Sequence, residues 1–257
     1  MNVLDLFRLT GRTAIVIGGA RGIGYAAGQA LAEAGAGLTI ADINGGGAAR
    51  AASSLASQYN VAVDSVACDV TDETSVQEML AAHMKRFAGV DILINSAGVA
   101  FHTPSEEVDL DQWNQLMNIN LRGTFLTCKH VGGQMLRQGG GSIVNVGSMS
   151  ATAVNRPQTQ SVYNASKAGV VMLTRSLAAE WAGRGVRVNS LSPGYTSTEM
   201  TMQDAVRPLH DTWNQLTPMG RMCEPDELKG AFLFLASSAS SYVTGHDLIV
   251  DGGYSVW

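Results

Sequence analysis

Two side chains four residues apart, Tyr163 and Lys167, carry the first chemistry legible in this chain. They open a helical pattern, and residues at i and i+4 of a helix share one face. A free phenol, with a pKa of about 10, holds its proton too tightly for acid–base work at neutral pH. An ammonium about 5 Å away, at an effective dielectric of roughly 20, would favour the phenolate by roughly 3 kcal/mol, or about two pK units. Tyr163 is therefore expected to titrate near working pH, as a general acid/base should. Alone, such a pair could equally be an ordinary amphipathic contact on a helix surface. Two further features favour the chemical reading. The hydroxyl-bearing turn Gly147-Ser148-Met149-Ser150 precedes the pair, at the end of the buried-strand pattern Ile143-Val144-Asn145-Val146, and a glycine motif stands near the N-terminus.

The elements that would position these groups can be followed along the chain. The β-branched run Thr13 to Ile17 leads into Gly18-Gly19-Ala20-Arg21-Gly22-Ile23-Gly24 and then a helical pattern. Strand, glycine turn and helix in that order make the helix N-terminus a seat for a pyrophosphate. The spacing is G-x-x-x-G-x-G rather than G-x-G-x-x-G, and a glycine-rich turn with no ligand would look similar. The next strand, Leu38 to Ala41, ends in Asp42. A carboxylate there can accept both adenosine ribose hydroxyls and repel a 2′-phosphate, which argues for NAD over NADP. Arg21 argues the other way, but Ile43 and Asn44 supply no second cation.

A helix is expected from about Gly46 to Gln58, then a strand from Val63 to Ala67 leading to Cys68-Asp69-Val70. Asp69 could meet an adenine amino group or cap the helix that starts near Asp72. A fourth strand, Asp91 to Asn95, runs into Ser96-Ala97-Gly98. A helix from about Asp111 carries Asn118-Ile119-Asn120 in its middle, Ala165 to Trp181 is helical, and Val186 to Leu191 is a strand broken by Pro193-Gly194. Tyr195 to Arg221 has weak periodicity and reads as a lid or binding loop. Pro225 opens a last helix through Leu235, and Asp247 to Val250 is a last strand. Strands alternating with helices call for a parallel sheet covered on both faces, an α/β fold of the doubly wound kind.

Composition narrows the function classes. With 257 residues, 46% of them hydrophobic, the chain can bury a full core as one domain. A net charge of −5 with scattered basic residues leaves no footprint for nucleic acid. No apolar run is long enough for a membrane span and no signal peptide is indicated, so a cytoplasmic protein is expected. Cys68, Cys128 and Cys223 lie far apart without C-x-x-C pairing, and the five histidines lack ligand spacing, so no catalytic metal is expected.

With these motifs in order, the whole chain resembles the classical short-chain dehydrogenase/reductase family, a single-domain Rossmann-type fold. By that resemblance Gly18, Gly22 and Gly24, with Arg21 and Ile23 between them, bind the pyrophosphate, Asp42 the ribose, and Asp69 with Val70 the adenine. Asn95, Ala97 and Gly98 stand in the family's Asn-Asn-Ala-Gly turn, and Pro193, Gly194 and Thr198 in the segment that holds the nicotinamide carboxamide. Asn120, Ser148, Tyr163 and Lys167 match the catalytic tetrad. Ile17 replaces the usual threonine before Gly18, and Ser96 the usual second asparagine, each removing a hydrogen bond that steadies the cofactor floor. The family's usual serine-to-tyrosine spacing would pick Ser150, whereas alignment on the strand ending at Val146 picks Ser148, and Ser148 is preferred because a strand fixes position rigidly.

The run from Gly147 to Ser150, the insert Asn155-Arg156-Pro157-Gln158, the segment Ala178 to Asn189 and the tail from Asp251 to Trp257 are similar to bacterial polyol dehydrogenases of the galactitol type. The resemblance implies hydride transfer between NAD and a sugar alcohol. A dinucleotide-binding half is expected over about 1–150, a catalytic and substrate half over about 140–257, and a lid over about 195–221. Asn155 and Gln158 are expected to read substrate hydroxyls beside Ser148, Ser150 and Tyr163, although a solvated loop is the ordinary alternative. Asn120 is expected to hold a water that relays a proton from Lys167. The family also implies a homotetramer, for which Trp257 would supply an interface indole, and in some relatives a structural Mg²⁺ near the C-terminus. Two rivals are an NADPH-dependent 3-oxoacyl-thioester reductase and a non-catalytic dinucleotide-binding protein.

Overall fold

The computed structural model describes residues 2–256. The expectation attached to Trp257 lies outside the described residues. In chain order come β1 (Thr13–Ile17), α1 (Gly22–Glu33), β2 (Gly37–Asp42), α2 (Gly45–Tyr59), β3 (Val63–Ala67), α3 (Glu73–Phe87) and β4 (Ile92–Asn95). They are followed by α4 (Leu110–Met117), α5 (Gly123–Thr127), α6 (Gly133–Gln138), β5 (Gly141–Val146), α7 (Ser161–Trp181), β6 (Val186–Pro193), α8 (His210–Leu216), α9 (Lys229–Ala236) and β7 (Asp247–Val250). The strands form one parallel sheet of order β3-β2-β1-β4-β5-β6-β7. The order reverses between β1 and β4, and in open α/β sheets a ligand crevice lies beyond the carboxyl ends of the strands at such a switch point. This is the expected doubly wound, Rossmann-type architecture.

Strand side chains alternate between the faces, and here both faces are apolar. Ala14 and Val16 of β1 pack with Leu31 of α1, Leu55 of α2 and Phe232 of α9 on one side. Ile15 and Ile17 pack with Met79 of α3, Val131, and Leu177 of α7 on the other. Truncating Ile15, Leu31, Leu55 or Met79 to alanine would cost about 2–5 kcal/mol, which is why the sheet can act as a rigid frame for the loops at its carboxyl edge.

Three elements depart from expectation. The helix read from about Asp111 is α4, α5 and α6 joined by π turns at Asn118–Arg122 and Cys128–Gly132. Side chains compete there with the backbone ladder: Thr124 Oγ1 donates to the Asn120 carbonyl and Thr127 Oγ1 to those of Gly123 and Thr124. Pro193 does not break β6 but ends it, paired with Val250, and the ladder continues through Gly194 N–H to the Val250 carbonyl. Proline is tolerated there because it closes the strand and the bond to β7 is donated by the next residue, Gly194. The lid holds a 3₁₀ turn at Arg207–Leu209 and α8, anchored by Trp213, which is 1% exposed. A further correction concerns Asp69. Asp72 caps α3 by accepting from Thr74 N–H, so the capping alternative for Asp69 falls away.

Candidate active site

The glycine turn closes against the exit of β4. Gly18 and Gly22 take φ of +70° and +56°, the left-handed region open to glycine. A Cβ on Gly24 would run into the Gly18 carbonyl, and one on Gly18 would stand 2.7 Å from Ala97 N. α1 starts directly after Arg21 without a side-chain cap, so the N–H groups around Gly22, Ile23 and Gly24 present an uncapped helix N-terminus. That is a seat for an anion. The Arg21 side chain is exposed and makes no hydrogen bond or ion pair among the described residues.

Asp42 ends β2 beside this turn, with Oδ2 accepting Ala20 N–H at 3.2 Å and Oδ1 accepting Asn44 N–H at 3.0 Å. Asp69 Oδ1 accepts both the N–H and the hydroxyl of Thr71 at 2.8 Å, and Val70 is buried against Gly123. The lid base meets the turn as well. A Cβ on Gly22 would lie 3.5 Å from Thr198 Cγ2, while Gly194 is pressed against Asp251. The turn, the β4 exit and the segment after Pro193 therefore surround one crevice. Its uncapped helix end, its glycine cradle and the carboxylate of Asp42 fit a dinucleotide.

The Asn95 side chain is buried at the end of β4. Its Nδ2 donates to Asn145 Oδ1 at 2.9 Å and to Cys128 Sγ at 3.4 Å, while its Oδ1 is buried without a partner. Ile17 is its register neighbour on β1 and offers no donor, where a threonine would carry a hydroxyl. Asn145 continues the buried chain to Thr174 Oγ1 at 2.9 Å. Asn95 therefore ties the end of β4 to Asn145 of β5 and to Cys128 in the interior.

The tetrad gathers at the carboxyl end of β5. Lys167 is 5% exposed, donates from Nζ to the Val146 carbonyl at 2.9 Å and lies 5.7 Å from the Tyr163 ring centroid. Asn120 clasps the chain after Gly98, its Oδ1 accepting Val99 N–H and its Nδ2 donating to the Val99 carbonyl, each at 2.9 Å, with Ser166 Oγ at 3.1 Å. Asn120 Oδ1 and Lys167 Nζ converge on Gly98, at 3.3 and 3.6 Å from the position of its absent Cβ. Ser148 Oγ accepts Ser150 N–H at 3.1 Å and donates to Ser150 Oγ at 3.0 Å.

The electrostatics correct one expectation. Burial pushes the Tyr163 phenol above its ordinary pKa, and the adjacent Ser148 hydroxyl draws it part of the way back. Burial lowers Lys167 to about 8. The Coulomb argument left out the loss of hydration suffered by both ions, which favours neutral phenol and neutral amine.

The loop after Ser150 is mixed: Thr152, Val154, Arg156, Pro157 and Thr159 are exposed, while Asn155 and Gln160 are buried and Gln158 is half-buried. Asn155 Nδ2 and Gln158 Nε2 donate to Tyr195 Oη at 3.1 and 2.8 Å, and Gln158 Oε1 accepts Trp213 Nε1 at 3.0 Å. Tyr195 stacks on Trp213 with centroids 4.1 Å apart and meets Tyr254 edge-on at 5.5 Å. Gln160 joins this wall to the serines, its Nε2 reaching Ser150 Oγ at 3.3 Å and Asn155 Oδ1 at 2.9 Å. Gln160, Tyr195, Trp213 and Tyr254 escaped the sequence reading, and the only signals for them were the aromatic residue after Pro193-Gly194 and the single tryptophan of the lid. A separate open cleft of about 560 Å³, between Ser197, His210, Asn214 and Arg221, includes none of the tetrad. No three His, Cys, Asp or Glu side chains cluster as a metal site among the described residues.

The switch-point crevice and the Ser–Tyr–Lys corner together define an oxidoreductase that uses a nicotinamide dinucleotide. A family model described as enoyl-(acyl carrier protein) reductase matches residues 18–255. The galactitol 2-dehydrogenase (L-tagatose-forming) of Cereibacter sphaeroides is 50% identical over 258 residues, covering 100% of both chains. The D-threitol dehydrogenase of Mycolicibacterium smegmatis is 45% identical, over 97% of this chain and 95% of its own. A short-chain type dehydrogenase/reductase from Mycobacterium marinum superposes with a TM-score of 0.96 at 38% identity, covering 99% of each chain. The chain belongs to the short-chain dehydrogenase/reductase family.

Proposed function

We propose that the protein oxidises a secondary alcohol of a sugar alcohol with NAD and reduces the matching ketose in reverse. The carrying observation is that Ser148, Tyr163 and Lys167 converge beside a wall of amides and a phenol, Asn155, Gln158 and Tyr195. A polyol presents several hydroxyls, and a site that selects it needs polar groups near the reacting carbon. Two of the relatives matched are named for galactitol and D-threitol.

A bound nicotinamide dinucleotide would accept the hydride. Gly18, Gly22 and Gly24, with Arg21 and Ile23, would hold its pyrophosphate, Asp42 its adenosine ribose and Asp69 with Val70 its adenine. Ala97 and Gly98, braced by Asn95, would form the floor, and Pro193, Gly194 and Thr198 would hold the carboxamide. Tyr163 Oη, once its own proton has left by way of Lys167 and the relay to solvent, takes the alcohol proton as phenolate while Ser148 Oγ holds the reacting oxygen. Lys167 would bind the nicotinamide ribose, and with a pKa of about 8 it exchanges protons near neutrality. The side chain of Asn120 is committed to Val99 and Ser166, so its carbonyl, which already accepts Thr124 Oγ1, would hold the relay water with its second lone pair. Residues about 1–150 thus bind the dinucleotide and about 140–257 the substrate, within one cytoplasmic domain.

One observation favours a second reading, a 3-oxoacyl-thioester reductase using NADPH. Met200, Met202 and Met219 of the lid are 44, 47 and 63% exposed and could line the path of an acyl chain. Turnover of galactitol, D-threitol and a 3-oxoacyl thioester, each with both dinucleotides, separates the two. Turnover of the thioester alone with NADPH replaces the polyol reading, and dinucleotide binding without turnover of any substrate leaves a binding protein.

The homotetramer belongs to the same proposal. Leu110 and Trp113 of α4, Phe125 of α5 and Met172 of α7 are exposed apolar side chains on neighbouring helices. Light scattering on the purified protein tests it, and a monomer at working concentration refutes it. A repeat in EDTA tests whether assembly requires a divalent ion.

A further inference from the structure

A chain of hydrogen bonds leads from Ser148 to the edge strand of the sheet. The β5 ladder reaches Gly147, whose N–H donates to the Leu191 carbonyl at 2.8 Å. The next N–H, that of Ser148, is taken by a side chain, Ser192 Oγ, at 3.1 Å. Ser192 gives its own proton to Asp247 Oδ1 at 2.6 Å, and Ser190 donates to the same oxygen at 2.8 Å. The two serines lie two residues apart on β6 and so share a face, while the β7 register sets Asp247 beside Ser190. Ser190 and Ser192 are fully buried. Gly147 lacks a Cβ where one would collide with Ser192 Oγ. Asp247 Oδ2 is closed from solvent and meets no donor among the described residues.

A serine hydroxyl left to itself rotates among staggered positions and can offer either its hydrogen or a lone pair. A carboxylate only accepts. Asp247 therefore draws the Ser192 hydrogen toward itself and leaves a lone pair facing Ser148 N–H. Without it Ser192 could turn its hydrogen elsewhere, and the N–H of Ser148 would lose its partner, leaving its backbone held through the carbonyl to Ala151 N–H. The orientation of that backbone sets where Ser148 Oγ meets the Tyr163 phenol.

We propose that Asp247, acting through Ser192, is a positioning residue that fixes the backbone of Ser148 and aims its hydroxyl at Tyr163 and the reacting oxygen. The proposal rests on Ser148 being the serine of the reaction. It assigns Asp247 no contact with substrate or dinucleotide.

The test uses Ser192→Ala, Asp247→Ala, Asp247→Asn and Ser148→Ala, with NAD and whichever polyol of the panel above is turned over fastest. Ser192→Ala and Asp247→Ala are each expected to lower kcat by about tenfold or more, since small misplacement of a reacting group is costly, while KM for NAD stays within about twofold. Asp247→Asn keeps an accepting oxygen and is expected to recover most of kcat. Placed on Ser148→Ala, neither Ser192→Ala nor Asp247→Ala should reduce residual turnover further, because groups acting through one residue are not additive. Full multiplication of the losses on the Ser148→Ala background, or an Asp247→Asn variant as slow as Asp247→Ala, overturns the proposal. So does a Ser192→Ala enzyme with unchanged kcat. An active Ser148→Ala enzyme instead refutes the role of Ser148 itself, whatever Asp247 does. Since Asp247→Ala could fail to fold, Ser192→Ala provides the same comparison within the sheet.

Discussion

The carboxylate of Asp42 accepts the backbone N–H of Ala20 at 3.2 Å, which ties the end of β2 to the glycine turn and leaves a negative charge at its rim. A 2′-phosphate on the adenosine ribose would have to sit against that charge. NAD is therefore expected to give the larger kcat/KM, and Asp42→Ser to shrink the NAD/NADP preference by on the order of tenfold. Steady-state kinetics with both dinucleotides check this. A wild-type enzyme that prefers NADP would make Arg21 the deciding residue.

Tyr163→Phe removes the proton carrier and leaves the ring. Turnover should fall by on the order of 10²–10⁴-fold, while the affinity for NAD, measured by fluorescence titration, stays within about twofold. Ser148→Ala should cost far more activity than Ser150→Ala, because Ser148 acts on the phenol and Ser150 sits behind it, held by Gln160. The reverse order would reassign the serine.

Lys167 gives a prediction with a pH sign. Its folded pKa of about 8 lies below the ordinary 10.5, because burial disfavours the ammonium. Between those values the unfolded chain holds more protons, so stability rises with pH. Below pH 8 the penalty is complete, and above 10.5 it is gone. The shift is worth roughly 3 kcal/mol, and losing the hydrogen bond to Val146 takes back about 1 kcal/mol. Lys167→Met should thus be inactive yet about 2 kcal/mol more stable than the wild type at pH 7, a gain that disappears toward pH 10.5. Denaturant melts at the two pH values check it, and a destabilised variant at pH 7 contradicts the sign.

Alanine at Asn155 or Gln158 should raise KM for sugar alcohols about tenfold, about 1.4 kcal/mol per lost hydrogen bond, and barely alter KM for a simple secondary alcohol. Both amides lean on Tyr195 Oη, so Tyr195→Phe should reproduce part of the effect. Equal changes for both substrate kinds would mean that the wall shapes the site without reading hydroxyls.

What could be read from sequence followed the range of the forces involved. The strands of β1, β3 and β7 fall where local alternation puts them, and Tyr163, Lys167 and the glycine turn announce themselves because their chemistry needs fixed short spacings. The wall of Tyr195, Trp213 and Tyr254 could not be read, since it joins three segments whose contact depends on the sheet and not on any period. The turn at Asn118–Arg122 was hidden for a related reason: the contact it serves, Asn120 with Val99, joins residues 21 apart in sequence. The wrong sign for Tyr163 arose because spacing reveals a neighbouring charge but not the water lost around it.

The two π turns also bear on how this stretch can change length. A residue added to an α-helix rotates everything after it by about 100°, since each residue advances the chain by a 3.6th of a turn. A π turn absorbs one extra residue in a local bulge and lets the flanking helices keep their faces. Asn118–Arg122 and Cys128–Gly132 are thus places where single-residue insertions have somewhere to go. Removing one residue from Asn118–Arg122 would restore a plain helix and swing Asn120 off Val99, so the bulge that tolerates the extra residue has become the means by which Asn120 reaches its partner.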